Sequence, residues 1–192
     1  MKLNLNSANT IKDEKNFKAF MASLQLAGTR VCYKKDEVVF QEGGKADFML
    51  ILEEGILRTW REVNNKEVVL GFTFPGDLDT SPISFIKSIP SKETIDAICN
   101  TKCIKISRKA FFDQLKNLQL SEDIFQFILL EYIDVLIQRQ LDSKAYTAQE
   151  NYIKLLLEQP KLVDKIPLKN VASFLGISKE RLSRIRKKLD LT

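Results

Sequence analysis

PLKNVASFLGISKERLSRIRKKL, residues Pro167–Leu189, is the stretch whose spacing decides how the C-terminal part folds. Val171, Ala172, Leu175, Gly176, Ile177, Leu182 and Ile185 describe two short helices crossing steeply at a tight turn. Val171 and Leu175 form the inner side of the first helix. Ala172 is small enough to let the second helix come close, and Gly176 can take the left-handed conformation that ends the first. The Ser178 hydroxyl can cap the second. Leu182, Ile185 and Leu189 then share one face, at i, i+3 and i+7, while Glu180, Arg181, Arg184, Lys187 and Lys188 fall on the other. An outward face with four cations and one carboxylate suits the major groove of DNA. Basic amphipathic helices are often plain solvated faces. Here a small residue, a glycine four positions on, and apolar positions on both sides of the turn occur together.

Charge follows the same division. The chain of 192 residues has 30 Lys and Arg against 25 Asp and Glu, a formal net charge of +5. Residues 161–192 hold nine Lys/Arg and three Asp/Glu, which is +6, so residues 1–160 carry the difference between +5 and +6, namely −1. A positive field at one end fits a polyanion docked there, with the rest of the molecule kept away from it.

The composition narrows the function classes. The apolar fraction of 44% supports a real core. No apolar run reaches membrane-spanning length, and Met1–Asn16 is polar without a signal peptide, so a cytoplasmic protein with no membrane partner is expected. Cys32, Cys99 and Cys103 are odd in number and form no CxxC pair, which fits packing in a reducing compartment. With no histidine the chain lacks the commonest general base, metal ligand and haem ligand. A metal, haem or iron–sulfur centre is therefore not expected. No nucleophile–base pair or Gly-rich phosphate loop suggests an enzyme.

Upstream, Asn9–Leu26 reads as a helix. From Gly28 the period changes. Thr29–Tyr33, Glu37–Phe40, Phe48–Leu52, Ile56–Arg61, Glu67–Phe74, Ile95–Ala97 and Lys102–Ser107 are short and rich in β-branched and aromatic residues. Turn signals separate them: Glu42-Gly43-Gly44, Glu54-Gly55, Asn64-Asn65 and Pro75-Gly76. This pattern predicts an antiparallel barrel or sandwich. Helical spacing returns at Arg108–Asn117, Ser121–Lys144 and Glu150–Glu158, with Gln159–Ile166 as a link. The apolar surface of Ser121–Lys144 is too wide for one small barrel to cover. Part of it, with Phe125, Ile128, Leu129, Tyr132 and Leu136, pairs with a second subunit or else lies in an ordinary core.

The order of β-barrel, long helix and basic helix pair resembles the Crp/Fnr family of bacterial transcription regulators. FQEGGKADFMLILEEG (Phe40–Gly55) is similar to the family's opening hairpins. FPGDL (Phe74–Leu78) is similar to the turn before its phosphate-binding cassette. Ile166–Leu189 is similar to its DNA-reading element. The resemblance implies an α+β fold with three parts: a cyclic-nucleotide-binding-like β-roll of jelly-roll type over residues 1–112, a long connecting and dimerisation helix over 113–145, and a helix-turn-helix domain over 146–192. It implies double-stranded DNA and a second copy of the chain as partners, with RNA polymerase as a further possible one.

Family members that bind cyclic AMP hold the ribose with a Gly-Glu pair and the phosphate with an Arg-Ser pair. Here the corresponding stretch reads Asp79-Thr80-Ser81-Pro82-Ile83, and Glu93-Thr94 stands in the Arg-Ser register. A glutamate repels a phosphate where an arginine would hold it by two charge-assisted bonds. Lys87 or Lys92 supplies a cation only if the register slips. Cyclic AMP is therefore not expected. Asp79, Thr80, Ser81, Glu93 and Thr94 are candidates for contacts to another effector, or are plain loop residues in a ligand-free scaffold.

For the helix pair, the resemblance puts Lys179, Glu180 and Arg184 at the base-reading positions. Arginine can donate two bonds to guanine and glutamate can accept from cytosine. Lys169, Ser178, Arg181, Ser183, Lys187 and Lys188 are then phosphate contacts that set register. A dimer would place two 178–189 helices roughly 34 Å apart and read a near-palindromic site. Only three residues follow Leu189, so the wing common in the family is not expected. The rival reading is an effector-binding module without DNA contact, which leaves the basic helix pair unexplained.

Overall fold

The computed structural model describes residues 11–117, 121–160 and 163–189. Helix α1 (Ile11–Ala27) leads into eight short strands: β1 (Thr29–Tyr33), β2 (Val38–Phe40), β3 (Phe48–Glu54), β4 (Leu57–Val63), β5 (Lys66–Thr73), β6 (Leu78–Asp79), β7 (Thr94–Ala97) and β8 (Thr101–Ser107), with helix α2 (Pro82–Lys87) between β6 and β7. They form two antiparallel four-stranded sheets, in the orders β1-β8-β3-β6 and β2-β7-β4-β5. Asn64 and Asn65 join β4 to β5 with φ of 52° and 59°, the pattern of a type I′ hairpin. The β4–β5 ladder pairs Thr59 with Gly71 but Trp60 with Val69, so Leu70 is the extra residue of a bulge.

Helices α3 (Arg108–Asn117) and α4 (Ser121–Ala145) follow the sheets. Then come α5 (Ala148–Glu158), a 3₁₀ turn (Val163–Lys165), α6 (Leu168–Phe174) and α7 (Lys179–Lys188). Helix α5 opens with a capping box. Thr147 Oγ1 accepts from the Glu150 N–H at 3.3 Å, and the Glu150 carboxylate accepts from the Thr147 N–H at 2.7 Å.

Two apolar clusters hold the chain together. The first joins both sheets to α1, α3 and the start of α4 through Leu24, Leu50, Leu57, Ile95, Phe111 and Ile124, all buried. The second is shared between Ile56, Val69, Phe72 and Ile98 of the β-roll and Tyr152, Leu155, Val171 and Leu182 of the C-terminal helices. The helix pair is thus packed on the β4–β5 side of the roll.

The α+β architecture expected from the sequence is the one observed. The strand readings match within two residues at each end. Two elements were not foreseen: β6 has only two residues, and α2 sits in the stretch read as loop, with Pro82 in its first turn. Helix α5 begins two residues before the expected Glu150, and the Gln159–Ile166 link contains the 3₁₀ turn. Asn9, Thr10, Lys161 and Leu162 lie outside the described residues. Among the described residues no helix is long and apolar enough to cross a membrane.

Candidate nucleic-acid interface and effector cavity

The α6–α7 turn closes as its residues dictate. Gly176 has a φ of +66°, and the Ile177 N–H donates to the Ala172 carbonyl at 3.0 Å. Ser178 Oγ accepts from the Arg181 N–H at 3.2 Å and caps α7. Leu182 is fully buried between the helices, with Ile185 and Leu189 half-buried beside it.

Every candidate DNA-contacting side chain is exposed: Lys169, Ser178, Lys179, Glu180, Arg181, Ser183, Arg184, Lys187 and Lys188. Arg184, Lys187 and Lys188 make no ion pair among the described residues. Arg186, not among the candidates, turns toward Asp164 at 3.9 Å. The Glu180 carboxyl is held below its ordinary range, first by its own backbone N–H and then by the Ser178 hydroxyl, with Lys179 and Arg184 adding to the effect. It is therefore a carboxylate seated at the positive start of α7.

Helix α6 turns Asn170 and Ser173 toward the β-roll. Asn170 is buried, and its Oδ1 accepts from Arg58 Nη1 at 3.1 Å. Ser173 Oγ accepts from the Val69 N–H and donates to the Glu67 carbonyl, both at 3.0 Å. Phe174 lies against Phe72, with centroids 5.4 Å apart. Arg58 also pairs with Asp96 and, at 2.7 Å, with Glu67, and Trp60 Nε1 donates to Asp96 at 2.9 Å. Sequence reading missed this network.

A cavity of about 340 Å³ lies between the roll and α4. Leu78, Phe85 and Phe111 line it from the roll and α3, and Phe125, Ile128, Leu129, Tyr132 and Leu136 line it from α4. These five residues, candidates for the subunit contact, are placed against their own β-roll. Leu129 and Leu136 also reach solvent. The outward stripe of α4 is Leu130, Ile133, Ile137 and Leu141, 42–56% exposed.

Three of the five effector candidates, Asp79, Thr80 and Glu93, reach the cavity wall. The other two are engaged in local bonds: Ser81 Oγ donates to Glu93 Oε2 at 2.5 Å, and Thr94 Oγ1 accepts from the Glu42 N–H at 3.1 Å. Glu93 also meets Arg61 at 3.4 Å. Burial raises the Asp79 pKa, and the neighbouring Asp77 adds to the rise, against hydrogen bonds from Thr73 and the Thr80 backbone. Its Oδ2 is buried and has no hydrogen-bond partner, a cost of about 1–3 kcal/mol for such an atom.

At the α4 side, Arg139 Nη1 donates to the Leu70 carbonyl at 3.2 Å. Gly71 makes room for the guanidinium, because a Cβ there would lie 3.0 Å from Arg139 Nη1.

Residues 30–117 match the family described as the cyclic nucleotide-binding domain. No curated protein matches the chain by sequence. Among solved structures, FixK2 from Bradyrhizobium japonicum aligns with a TM-score of 0.71 at 18% identity, over 85% of this chain and 84% of that one. The c-di-GMP responsive global regulator CLP from Xanthomonas campestris aligns with a TM-score of 0.65 at 19% identity, over 90% and 91%. A CooA variant from Carboxydothermus hydrogenoformans aligns with a TM-score of 0.64 at 12% identity, over 86% and 78%. With the two sheets, the long helix and the terminal helix pair in this order, the chain has the fold of these regulators, and residues 30–117 are similar to the cyclic nucleotide-binding domain family.

Proposed function

We propose that the protein is a homodimeric, sequence-specific DNA-binding transcription regulator of the Crp/Fnr type. Its parts are a sensor over residues 1–112, a connecting helix over 113–145 and a DNA-binding domain over 146–192. The observation that carries this reading is the outer face of α7. Lys179, Arg181, Arg184, Lys187 and Lys188 are exposed along one short helix that is capped by Ser178 and anchored by Leu182. Lys179, Glu180 and Arg184 read base edges, and the remaining cations with Ser178, Ser183 and Lys169 hold phosphates.

Two copies join along the outward stripe of α4. Leu130, Ile133, Ile137 and Leu141 are spaced by three, four and four residues, one apolar stripe along the helix. The cavity beneath the inner face of the same helix is the effector site. Glu93 there supports the view that cyclic AMP is not the effector.

Selection of bound duplexes from a random pool tests the proposal. The expected outcome is a near-palindromic sequence with half-sites one helical turn apart, bound by a dimer in sedimentation. A pool that shows no enrichment at physiological salt would refute DNA reading. Enrichment of a single half-site by a monomer would refute the dimer.

A further inference from the structure

Among the residues lining the cavity, Asp79 alone has a buried side-chain atom without a hydrogen-bond partner. The residue is 7% exposed, its Oδ2 is unpartnered, and it stands on the wall. Glu93 adds a second carboxylate to that wall, occupied by Ser81 and Arg61. The lining cation, Arg139, comes from α4, is exposed and bonds the Leu70 carbonyl. Around these groups the surface is apolar, with Leu78, Phe85, Phe111 and Leu129.

We propose that the cavity binds a small cationic molecule, a protonated amine on an apolar body, with its ammonium group on Asp79 Oδ2. The proposal rests on reading the cavity as the effector site, and it names the class of effector. An anion entering here would approach two carboxylates, and like charges at close range disfavour it. An ammonium brings donors to the atom that lacks one, and a buried charge is stable only when it is paired and hydrogen-bonded. Burial disfavours the ionised form of the Asp79 carboxyl. A bound ammonium favours its ionised form. The volume of about 340 Å³ lies at the small end of ligand sites, roughly 300–1,000 Å³, so the apolar body is compact.

Isothermal titration of the full chain with three probes of matched body tests this: 2-phenylethylamine, 2-phenylethanol and phenylacetate, with cyclic AMP as a fourth. The amine is expected to bind at least tenfold more tightly than the alcohol, and phenylacetate and cyclic AMP to give no binding heat. Asp79→Asn is expected to bring the amine down to the affinity of the alcohol, while Glu93→Gln keeps the amine preference. Tighter binding of phenylacetate or cyclic AMP, no binding by the amine, or an amine preference that survives Asp79→Asn would each overturn the proposal. If Asp79→Asn does not fold, the ranking of the probes on the unaltered chain decides. Duplex binding is read separately on the same preparation, so a failure of DNA reading is distinguishable from a failure of the amine site.

Discussion

Charge is treated in opposite ways by the β4–β5–α6 junction and by the outer face of α7. At the junction every charge is matched. Arg58, 7% exposed, meets Asp96, 8% exposed, together with Glu67 and Asn170. On the outer face of α7, Arg184, Lys187 and Lys188 are exposed and make no ion pair among the described residues. An unmatched charge costs little in water and a great deal when dry. Matched buried charges therefore mark where the chain holds itself together, and unmatched ones mark where something else is to be held. Asp79 is the informative exception: it is buried, like the junction, and unmatched, like α7.

The largest effect is expected where a matched pair is broken. Arg58→Ala leaves the buried Asp96 carboxylate without its cation, with Trp60 Nε1 still donating to it, and leaves the Asn170 Oδ1 without the Arg58 donor. It should destabilise the fold by about 3–5 kcal/mol, as removal of one partner from a buried pair does. Urea denaturation measures it. A loss under 1 kcal/mol would show that the junction is wetter than its geometry indicates and would weaken the contrast with α7.

Arg184→Ala probes the opposite case. Its guanidinium holds nothing inside the protein, so stability should stay within about 0.5 kcal/mol. Affinity for the selected duplex should fall by about 1–3 kcal/mol, with preference relaxed at one base position. Anisotropy titrations against the selected site and single-base variants provide the measurement. Unchanged specific binding would remove Arg184 from the base-reading set.

The same contrast explains what could be read from the sequence. Helix α7 is a local object. Its cap at Ser178, its apolar face at Leu182, Ile185 and Leu189, and the turn at Gly176 all lie within a few residues of one another. The capping box at Thr147 and Glu150 is equally local. It was within reach, but the apolar pattern begins only at Tyr152 and drew the expected start to Glu150. The junction is different. Arg58 and Asn170 are 112 residues apart, and nothing near Asn170 marks it as a buried partner. Arg139 and Tyr132 joined the cavity in the same way, because the wall is built from the β5 bulge, β6, α2, α3 and α4. Asp79, Thr80 and Glu93 were found through resemblance. Local spacing does not separate them from Ser81 and Thr94, whose hydroxyls complete loop hydrogen bonds.

Asp79 also has a signature in pH. Its folded pKa is raised by burial, so between the ordinary aspartate range and that higher value the folded chain keeps a proton the unfolded chain has released. Stability must then fall as pH rises through this window, with a slope of up to about 1.4 kcal/mol per pH unit from this group. Asp79→Asn should flatten that part of the profile, measured by urea midpoints across the acid range. A profile that keeps its slope in the variant would assign the proton elsewhere.

The smallest effect is expected at a single proposed phosphate contact. Lys187 is exposed on α7, where a lysine acts as a point charge with no power to distinguish bases. Lys187→Ala should weaken selected and mixed-sequence duplexes by the same factor. It should also reduce the slope of log affinity against log salt by about one, because one fewer counterion is released. Anisotropy titrations at several salt concentrations read both quantities. If discrimination between duplexes changed while the slope did not, Lys187 would be reading bases. The proposed assignment of Lys187 to the phosphates would then have to be redrawn.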